Sequence, residues 1–445
     1  MSNRYFGTDG IRGEYGVEPF TDNFFIVAGV AIGKYLSLSK KSNKKIIIGS
    51  DTRESCKDII NFLSQGLFSE GCEISNAGIV PTPAIAYYTK KKNFSLGIMV
   101  SASHNLYQDN GVKIFNNKGH KLSEENERNI ENYIEKAIIQ NKKFIKKKIK
   151  IKNISNQIKL DYIKFCLDTI NKKKFIKKKL TLDVANGANY EIAKKIFIEG
   201  GFSITVRNNI PNGKNINDKC GSTFLKAIKQ QIIDDNSDYG ISMDGDGDRL
   251  IVVTKKGKIL DGDDILYTII KGKKINNEKI KGVVGTVMTN CALENYLKRE
   301  NINFIRAQVG DKFVLEKMLE NNYDLGGEAS GHIIILKNSS SGDSIIAALQ
   351  FLYYSSILKK NNKSSLLRKY PNKIINFFIN KLKSVNAVNS VIKKALNKYS
   401  SDNIRLIIRK SGTENCLRVM IESKSKDLVD KTSQSLMLYI KKNLK

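Results

Sequence analysis

Three aspartates stand at alternate positions in Asp244-Gly245-Asp246-Gly247-Asp248-Arg249, directly after the run Tyr239-Gly240-Ile241-Ser242-Met243. That run reads as a buried strand, so the aspartates fall at its C-terminal end. Three carboxylates this close repel one another unless a cation lies among them. The intervening glycines let the backbone curl so that all three face one point. Hard oxygen donors of this kind suit Mg²⁺, which keeps an open position for water or a phosphate oxygen. An EF-hand needs Gly at its sixth position and Glu at its twelfth; here those positions hold Arg249 and Lys255. A phosphatase that forms an aspartyl-phosphate on Asp244 stays compatible with the local sequence. A metal-free acidic turn is disfavoured by the repulsion it would carry. A second acidic run, Asp261-Gly262-Asp263-Asp264, lacks the strand and the arginine and reads as a turn.

A chain of 445 residues is too long for one hydrophobic core, and two to four domains are expected. Four blocks can be traced. The first, 1–152, alternates apolar strands with helical stretches. Its strands at 45–49 and 95–100 end in Ser50-Asp51-Thr52-Arg53 and Ser101-Ala102-Ser103-His104-Asn105. Polar loops at the C-terminal ends of buried strands are where open α/β sheets bind ligands. The lysine-rich stretch 140–152 reads as a helix end or linker. The second block, 153–253, holds a strand at 180–184, a turn at Asn186-Gly187 and the strand leading to Asp244. The third, 254–368, holds strands at 282–287 and 304–307 and the loop 326–332. The fourth, 369–445, pairs strands at 404–408 and 417–421 across Arg409-Lys410-Ser411-Gly412-Thr413-Glu414-Asn415.

Lys and Arg number 75 against 44 acids, a net charge of +31, which raises the question of nucleic acid. Only 12 of the basic residues are Arg, whereas nucleic-acid surfaces lean on Arg and interleaved aromatics. The lysines come in runs with Asn and Ile, such as Asn141-Lys142-Lys143-Phe144-Ile145-Lys146-Lys147-Lys148 and Asn171-Lys172-Lys173-Lys174. Such runs read as solvated faces. No nucleic-acid partner is expected, although a lysine sheath attracts small anions. No apolar run approaches a membrane span and the N-terminus lacks a signal peptide's apolar core; no membrane association is expected, and the cytoplasm is the expected compartment. Cys56, Cys72, Cys166, Cys220, Cys291 and Cys416 are too scattered for a zinc ribbon or a thioredoxin motif. Reduced, mostly buried thiols are expected. No Walker loop or Gly-x-Gly-x-x-Gly follows a strand, so a nucleotide cofactor is not implied.

Three further loops carry chemistry. Ser103 sits on a tight polar loop at a strand end, exposed enough to be phosphorylated, though an ordinary capping turn reads equally well. His104 beside it is a candidate base, although adjacent side chains point apart in extended backbone. No Gly-x-Ser-x-Gly elbow occurs, which argues against a hydrolase triad. Arg409, the hydroxyls of Ser411 and Thr413, and the N–H groups around Gly412 offer a phosphate cradle, with a polar hairpin as the alternative. In Gly327-Glu328-Ala329-Ser330-Gly331-His332, Glu328 and Ser330 could hold vicinal sugar hydroxyls or form a plain turn.

Six segments, taken in order, resemble the α-D-phosphohexomutases over nearly the whole chain. They are Tyr5-Phe6-Gly7-Thr8-Asp9-Gly10-Ile11-Arg12-Gly13, the Ser103 loop, Asp109-Asn110-Gly111-Val112-Lys113, the three-aspartate loop, the Glu328 loop and the Arg409 loop. The opening segment and the Glu-x-Ser-Gly-His loop are similar to the branch that acts on glucosamine phosphates. The resemblance implies an α/β fold: three similar mixed α/β domains plus a smaller C-terminal α+β domain around a central cleft. It implies that Ser103 carries the catalytic phosphate. Asp244, Asp246 and Asp248 would hold one Mg²⁺ per chain, with an oxygen on phosphorylated Ser103 completing the site. Glu328 and Ser330, with His332 in the same loop, would contact the sugar. Arg409, Ser411, Gly412 and Thr413 would clamp the non-reacting phosphate. Arg12, Lys113 and Arg249 would surround the transferring phosphoryl group, with Lys113 a candidate acid/base and His104 a further catalytic candidate.

The implied reaction interconverts glucosamine 6-phosphate and glucosamine 1-phosphate through glucosamine 1,6-bisphosphate, feeding UDP-N-acetylglucosamine and cell-wall synthesis. Mutase activity on mannose or glucose phosphates is the alternative within the family. A phosphosugar is the implied partner, and a homodimer is left open. The family's serine loop usually continues with Pro where Leu106 stands, and its phosphate loop with Pro where Asn415 stands. Each Pro would mainly stiffen backbone.

Overall fold

The computed structural model describes residues 5–7, 9–38, 43–139, 149, 151–170, 178–364, 366–378, 385–410 and 416–444. The two lysine runs and residues 411–415, hence Ser411, Gly412, Thr413 and Asn415, lie outside the described residues. Among those described, the chain folds into four sheets in sequence order, each covered by helices.

The first sheet has seven strands. At its centre, Lys45–Ser50 runs parallel to Leu96–Val100 on one side and Glu73–Ile79 on the other. Lys45–Ser50 and Leu96–Val100 are buried on both faces, which is why they read as apolar runs, whereas Glu73–Ile79 is mostly half-buried. Successive side chains still alternate. Ile46, Ile48, Leu96, Ile98 and Val100 face a core with Phe25, Ile32 and Leu63, whereas Ile47 and Met99 face the opposite one. The helices over the first core, Asp22–Leu38 and Cys56–Ser69, touch backbone to backbone. A Cβ at Gly29 would lie 2.2 Å from the Leu63 carbonyl oxygen, and one at Gly66 2.0 Å from that of Ile26. Asp109–Asn116 and Gly10–Glu14 extend the sheet antiparallel and bring Lys113 and Arg12 towards the loop after Val100.

The second sheet runs Ile259–Leu260, Leu250–Thr254, Tyr239–Met243, Lys179–Asp183, Ser203–Arg207. Asp244 follows Tyr239–Met243 and Leu250–Thr254 returns antiparallel, so the aspartates form the hairpin loop between them. The run Asp261-Gly262-Asp263-Asp264 is more than a turn. Asp261 caps the helix Gly262–Ile275, accepting from the N–H of Asp263 and Asp264, and the Asp264 side chain reaches back to the Asp261 N–H. This capping box was present in the sequence as Asp-x-x-Asp. The third sheet holds Asn303–Ala307, Gly282–Thr286, Leu325–Gly327 and Ile333–Ile335, and the fourth is an antiparallel trio, Asn372–Phe378, Cys416–Glu422 and Arg405–Lys410.

One apolar cluster is continuous through the first three units, from Ile47 and Met99 through Leu182 and Val252 to Ile265 and Leu349. The fourth unit has its own core, with Leu406, Leu417, Val419 and Leu436. It meets the third mainly through polar contacts: Arg405 donates to the carbonyls of Thr289 and Val287, and Glu422 accepts the Cys291 N–H at 3.1 Å. All six cysteines are free. Among the described residues no helix is long and apolar enough to cross a membrane.

Candidate active site

The loop after Leu96–Val100 and the aspartate hairpin meet at the boundary of the first two sheets. Ser103 Oγ donates to Asp244 Oδ2 at 2.7 Å. The other oxygen of Asp244 accepts the N–H groups of Asp248 and Arg249, at 3.1 and 3.0 Å. Asp244, Asp246 and Asp248 offer carboxylate oxygens that all lie within 4.8 Å of one another. All three are buried. Asp246 Oδ1 and Asp248 Oδ1 are buried without a hydrogen-bond partner. Three buried carboxylates this close, with no hydrogen bond to Asp246 Oδ1 and the His332 ring at 3.6 Å from Asp248 Oδ1, fit a divalent cation of the Mg²⁺ class.

Lys113 balances part of this charge. Its Nζ lies 2.7 Å from Asp246, 3.0 Å from Asp248 and 3.1 Å from Asp9. Burial alone would lower its pKa, but Asp246, Asp248 and Asp9 overcome that and hold its proton firmly. In this arrangement Lys113 can neutralise charge or donate a hydrogen bond; it is poorly suited to taking up a proton. Burial, then Asp248 and Asp246, push Asp244 well above the usual carboxylate range. For Asp248, burial pulls upward but Lys113 and His332 win and hold it well below that range.

Two sequence expectations need correction here. Ser103 was expected to be exposed, yet it is fully buried, because the aspartate hairpin covers its hydroxyl. Ser103 and His104 were expected to point apart, yet Ser103 Oγ and His104 Nδ1 lie 3.5 Å from each other. Ser103 is not extended: its φ of +53° turns the chain. Burial, with Arg249 and Arg12 nearby, lowers the His104 pKa to about 4, so its ring is neutral at neutral pH and only a weak base.

A cleft opens above the cage, with walls from all four units. Asp9, Arg12 and His104 come from the first, Asp248 and Arg249 from the second, Glu328, Ser330 and His332 from the third, and Arg409 and Arg418 from the fourth. Asp248 is the one of the three aspartates on its wall. Arg12 donates to Asp9 at 2.6 Å. Glu328 accepts the Gly310 N–H at 2.9 Å. An isolated bridge between Arg249 and His332 ties the aspartate hairpin to the Glu328 loop. Burial would lower the His332 pKa, but Asp311 and Asp248 raise it to about 9. Arg409 lies directly across the strand pair from Arg418, and its buried Nε has no hydrogen-bond partner. Burial, then Arg418, lower its pKa. Two arginines forced together at a cleft wall suit an anion between them.

The sequence reading missed several participants. Asp9 lies within the opening segment quoted above, and its neighbours Arg12 and Gly10 were the available signal. Thr82, at the start of the helix Thr82–Lys91, gives its hydroxyl to Asp246 Oδ2 and its N–H to the Asp246 carbonyl. Lys121 reaches Asp9 and Asp311 and joins the first unit to the third. Nothing local in the sequence marks Thr82, Lys121 or Asp311, since each acts across units.

With fold and site in view, the chain belongs to the phosphoglucomutase/phosphomannomutase family. The family's alpha/beta/alpha domain I matches residues 3–140, its alpha/beta/alpha domain III residues 261–374 and its C-terminal domain residues 369–438. Among its relatives, the phosphoglucosamine mutase of Buchnera aphidicola subsp. Baizongia pistaciae is 40% identical over 431 residues, covering 94% of this chain and 92% of that protein. The phosphoglucosamine mutase of Neisseria meningitidis serogroup A is 39% identical over 432 residues, with 96% of both chains covered. A phosphoglucomutase/phosphomannomutase family protein from Burkholderia thailandensis superposes with a TM-score of 0.81 at 19% identity, covering 100% of this chain and 98% of that one; this likeness establishes the fold.

Proposed function

We propose that this enzyme is a phosphoglucosamine mutase that interconverts glucosamine 6-phosphate and glucosamine 1-phosphate, through a phosphoserine at Ser103 and glucosamine 1,6-bisphosphate. The observation that supports this best is the 2.7 Å contact of Ser103 Oγ with Asp244, beside the buried carboxylates of Asp246 and Asp248. In this reading phosphorylated Ser103 gives its phosphoryl group to the sugar's 1-hydroxyl. The bisphosphate turns in the cleft, and Ser103 recovers a phosphoryl group from position 6. Each half forms one P–O bond, breaks one, and moves one proton from the attacking hydroxyl. His104, neutral and with Nδ1 3.5 Å from Ser103 Oγ, is the candidate to pass that proton on to the leaving oxygen as a weak base. Such transfer depends on positioning and charge neutralisation more than on covalent help from the protein.

Arg12, Arg249 and Lys113 surround the moving group with positive charge. Glu328, Ser330 and His332 contact the sugar. Arg409, with Ser411, Gly412 and Thr413, holds the idle phosphate in either orientation. Asp244, Asp246, Asp248 and phosphorylated Ser103 would hold one Mg²⁺, which when bound neutralises charge on the phosphoryl oxygens. Four domains complete the reading, with the boundary expected at 253/254 better drawn after Leu260, since Ile259–Leu260 belongs to the second sheet, and with the product passing to UDP-N-acetylglucosamine and cell-wall synthesis.

The test is a mutase assay on glucosamine 6-phosphate with Mg²⁺ and a trace of sugar bisphosphate, with intact-mass analysis alongside. Turnover together with one phosphate on the Ser103 peptide is the expected result. Faster turnover of mannose or glucose phosphates would shift the substrate assignment. Release of inorganic phosphate with label on Asp244 would replace the mutase reading altogether.

A further inference from the structure

The loop that carries Ser103 is gripped from two sides. Its φ of +53° lies in the left-handed region, which a serine keeps only where neighbours enforce it. Two side chains do so, one from each of the first two units. Arg53 Nη2 donates to the carbonyl oxygens of Ser103 and Asn105, at 3.1 and 2.5 Å. Asn217 Nδ2 donates to the same two oxygens, at 2.8 and 2.9 Å. Both residues are buried. The Arg53 charge is balanced by Asp51, whose carboxylate it meets through Nη1 and through its own N–H. The aspartate hairpin closes on the same slot. A Cβ at Gly245 would lie 2.7 Å from the Ser103 carbonyl oxygen and 2.7 Å from Asn217 Nδ2. The two carbonyls, the serine hydroxyl and Asp244 therefore form one connected arrangement in which a shift of the slot moves the hydroxyl.

We propose that Arg53 and Asn217 are positioning residues for phosphoryl transfer. They hold the Ser103 and Asn105 carbonyls so that the Ser103 oxygen stays aimed at the aspartate cage. Their hydrogen bonds supply the stiffness that a proline after Asn105 would supply through its ring; this chain has Leu106 there, half-exposed. The proposal rests on Ser103 being the phosphoryl carrier. Neither residue lines the cleft, so loss of the grip should lower kcat and spare substrate binding.

The lead variant is Asn217→Gly. Asn217 has φ +58°, and glycine keeps that backbone without strain while removing the amide. Its kcat should fall about 10–100-fold, as expected for a misplaced reacting group, with KM within about twofold. Amide exchange across 101–106 should quicken. Adding Leu106→Pro to Asn217→Gly should slow that exchange and restore part of kcat. Arg53→Lys keeps the buried charge on Asp51 but loses the fork, and should show the same split between kcat and KM. Unchanged exchange in both single variants overturns the grip, whatever the activity. Faster exchange with unaltered kcat overturns the positioning role. If the unmutated chain neither turns over glucosamine 6-phosphate nor gains phosphate on Ser103, the mutase reading fails and with it the positioning role, while exchange still decides whether the two residues hold the loop.

Discussion

The ammonium of Lys113 stands 2.7 Å from Asp246 Oδ2, with both side chains shut off from solvent. A buried pair of this kind is costly to break, because the remaining charge is left uncompensated. Lys113→Met should therefore destabilise the protein by about 3–5 kcal/mol. A cation that binds the aspartates only in the folded state stabilises by mass action. Mg²⁺ should thus raise the Tm of Lys113→Met more than that of the unmutated protein, and a chelator should reverse the gain. Equal shifts in thermal melts would show that ammonium and metal do not share the aspartates.

Ser103→Ala removes the hydroxyl that meets Asp244 and no other contact of comparable strength. Turnover should disappear and the single added phosphate should vanish from the intact mass. Glucosamine 6-phosphate should still bind, because the cleft walls are untouched. Retained exchange of labelled phosphate would move the carrier role to another residue, with Asp244 the first to examine.

Arg409→Ala should weaken phosphosugar binding by about 1.5–3 kcal/mol, the range for hydrogen bonds to charged groups. Calorimetric titration would read this as a rise in Kd of roughly tenfold or more. The effect should be nearly the same for the 1-phosphate and the 6-phosphate, because the proposed clamp would grip whichever phosphate is not reacting. An unaltered Kd would remove Arg409 from the clamp.

Asp343 offers a pH-dependent test away from the site. Its carboxylate accepts the hydroxyl of Tyr162 at 2.8 Å and caps the helix Ser344–Lys360. Burial raises its pKa to about 6, although the helix N–H groups and Tyr162 pull the other way. The folded state thus holds this proton more tightly than the unfolded chain. The stability it contributes is full below pH 4 and is lost as pH rises through 6. Asp343→Asn cannot titrate, so relative to the unmutated protein it should gain stability between pH 4 and 7, by on the order of 2–3 kcal/mol. Denaturant melts across that range would read the difference, and a constant offset would mean that Asp343 keeps its ordinary pKa.

What the sequence made legible was local. The strand before Asp244 and the one before Ser101 declared themselves through apolar runs, and the loops after them through residues whose charges or hydroxyls make little sense elsewhere. What stayed hidden was contact between units. Thr82 reads as an ordinary helix start until Asp246 is found above it. Asn217 lies in a polar stretch with no pattern of its own, yet it bonds to carbonyls more than a hundred positions away. Residue spacing predicts faces of helices and strands, but carries no information on which loop of one sheet meets which loop of the next. The burial of Ser103 was missed for the same reason, since the lid over it belongs to another sheet.

The last unit's private core has a thermodynamic meaning. Leu417 and Leu436 are shielded by their own segment, and among the described residues it is joined to the rest mainly by polar contacts of Arg405, Glu422, Lys369 and Tyr370. Warming or denaturant can then melt that segment ahead of the remainder, giving two steps where a single merged core would give one. A molecule caught between those steps would keep Ser103 seated on Asp244 while the cleft wall carrying Arg409 and Arg418 had already come undone.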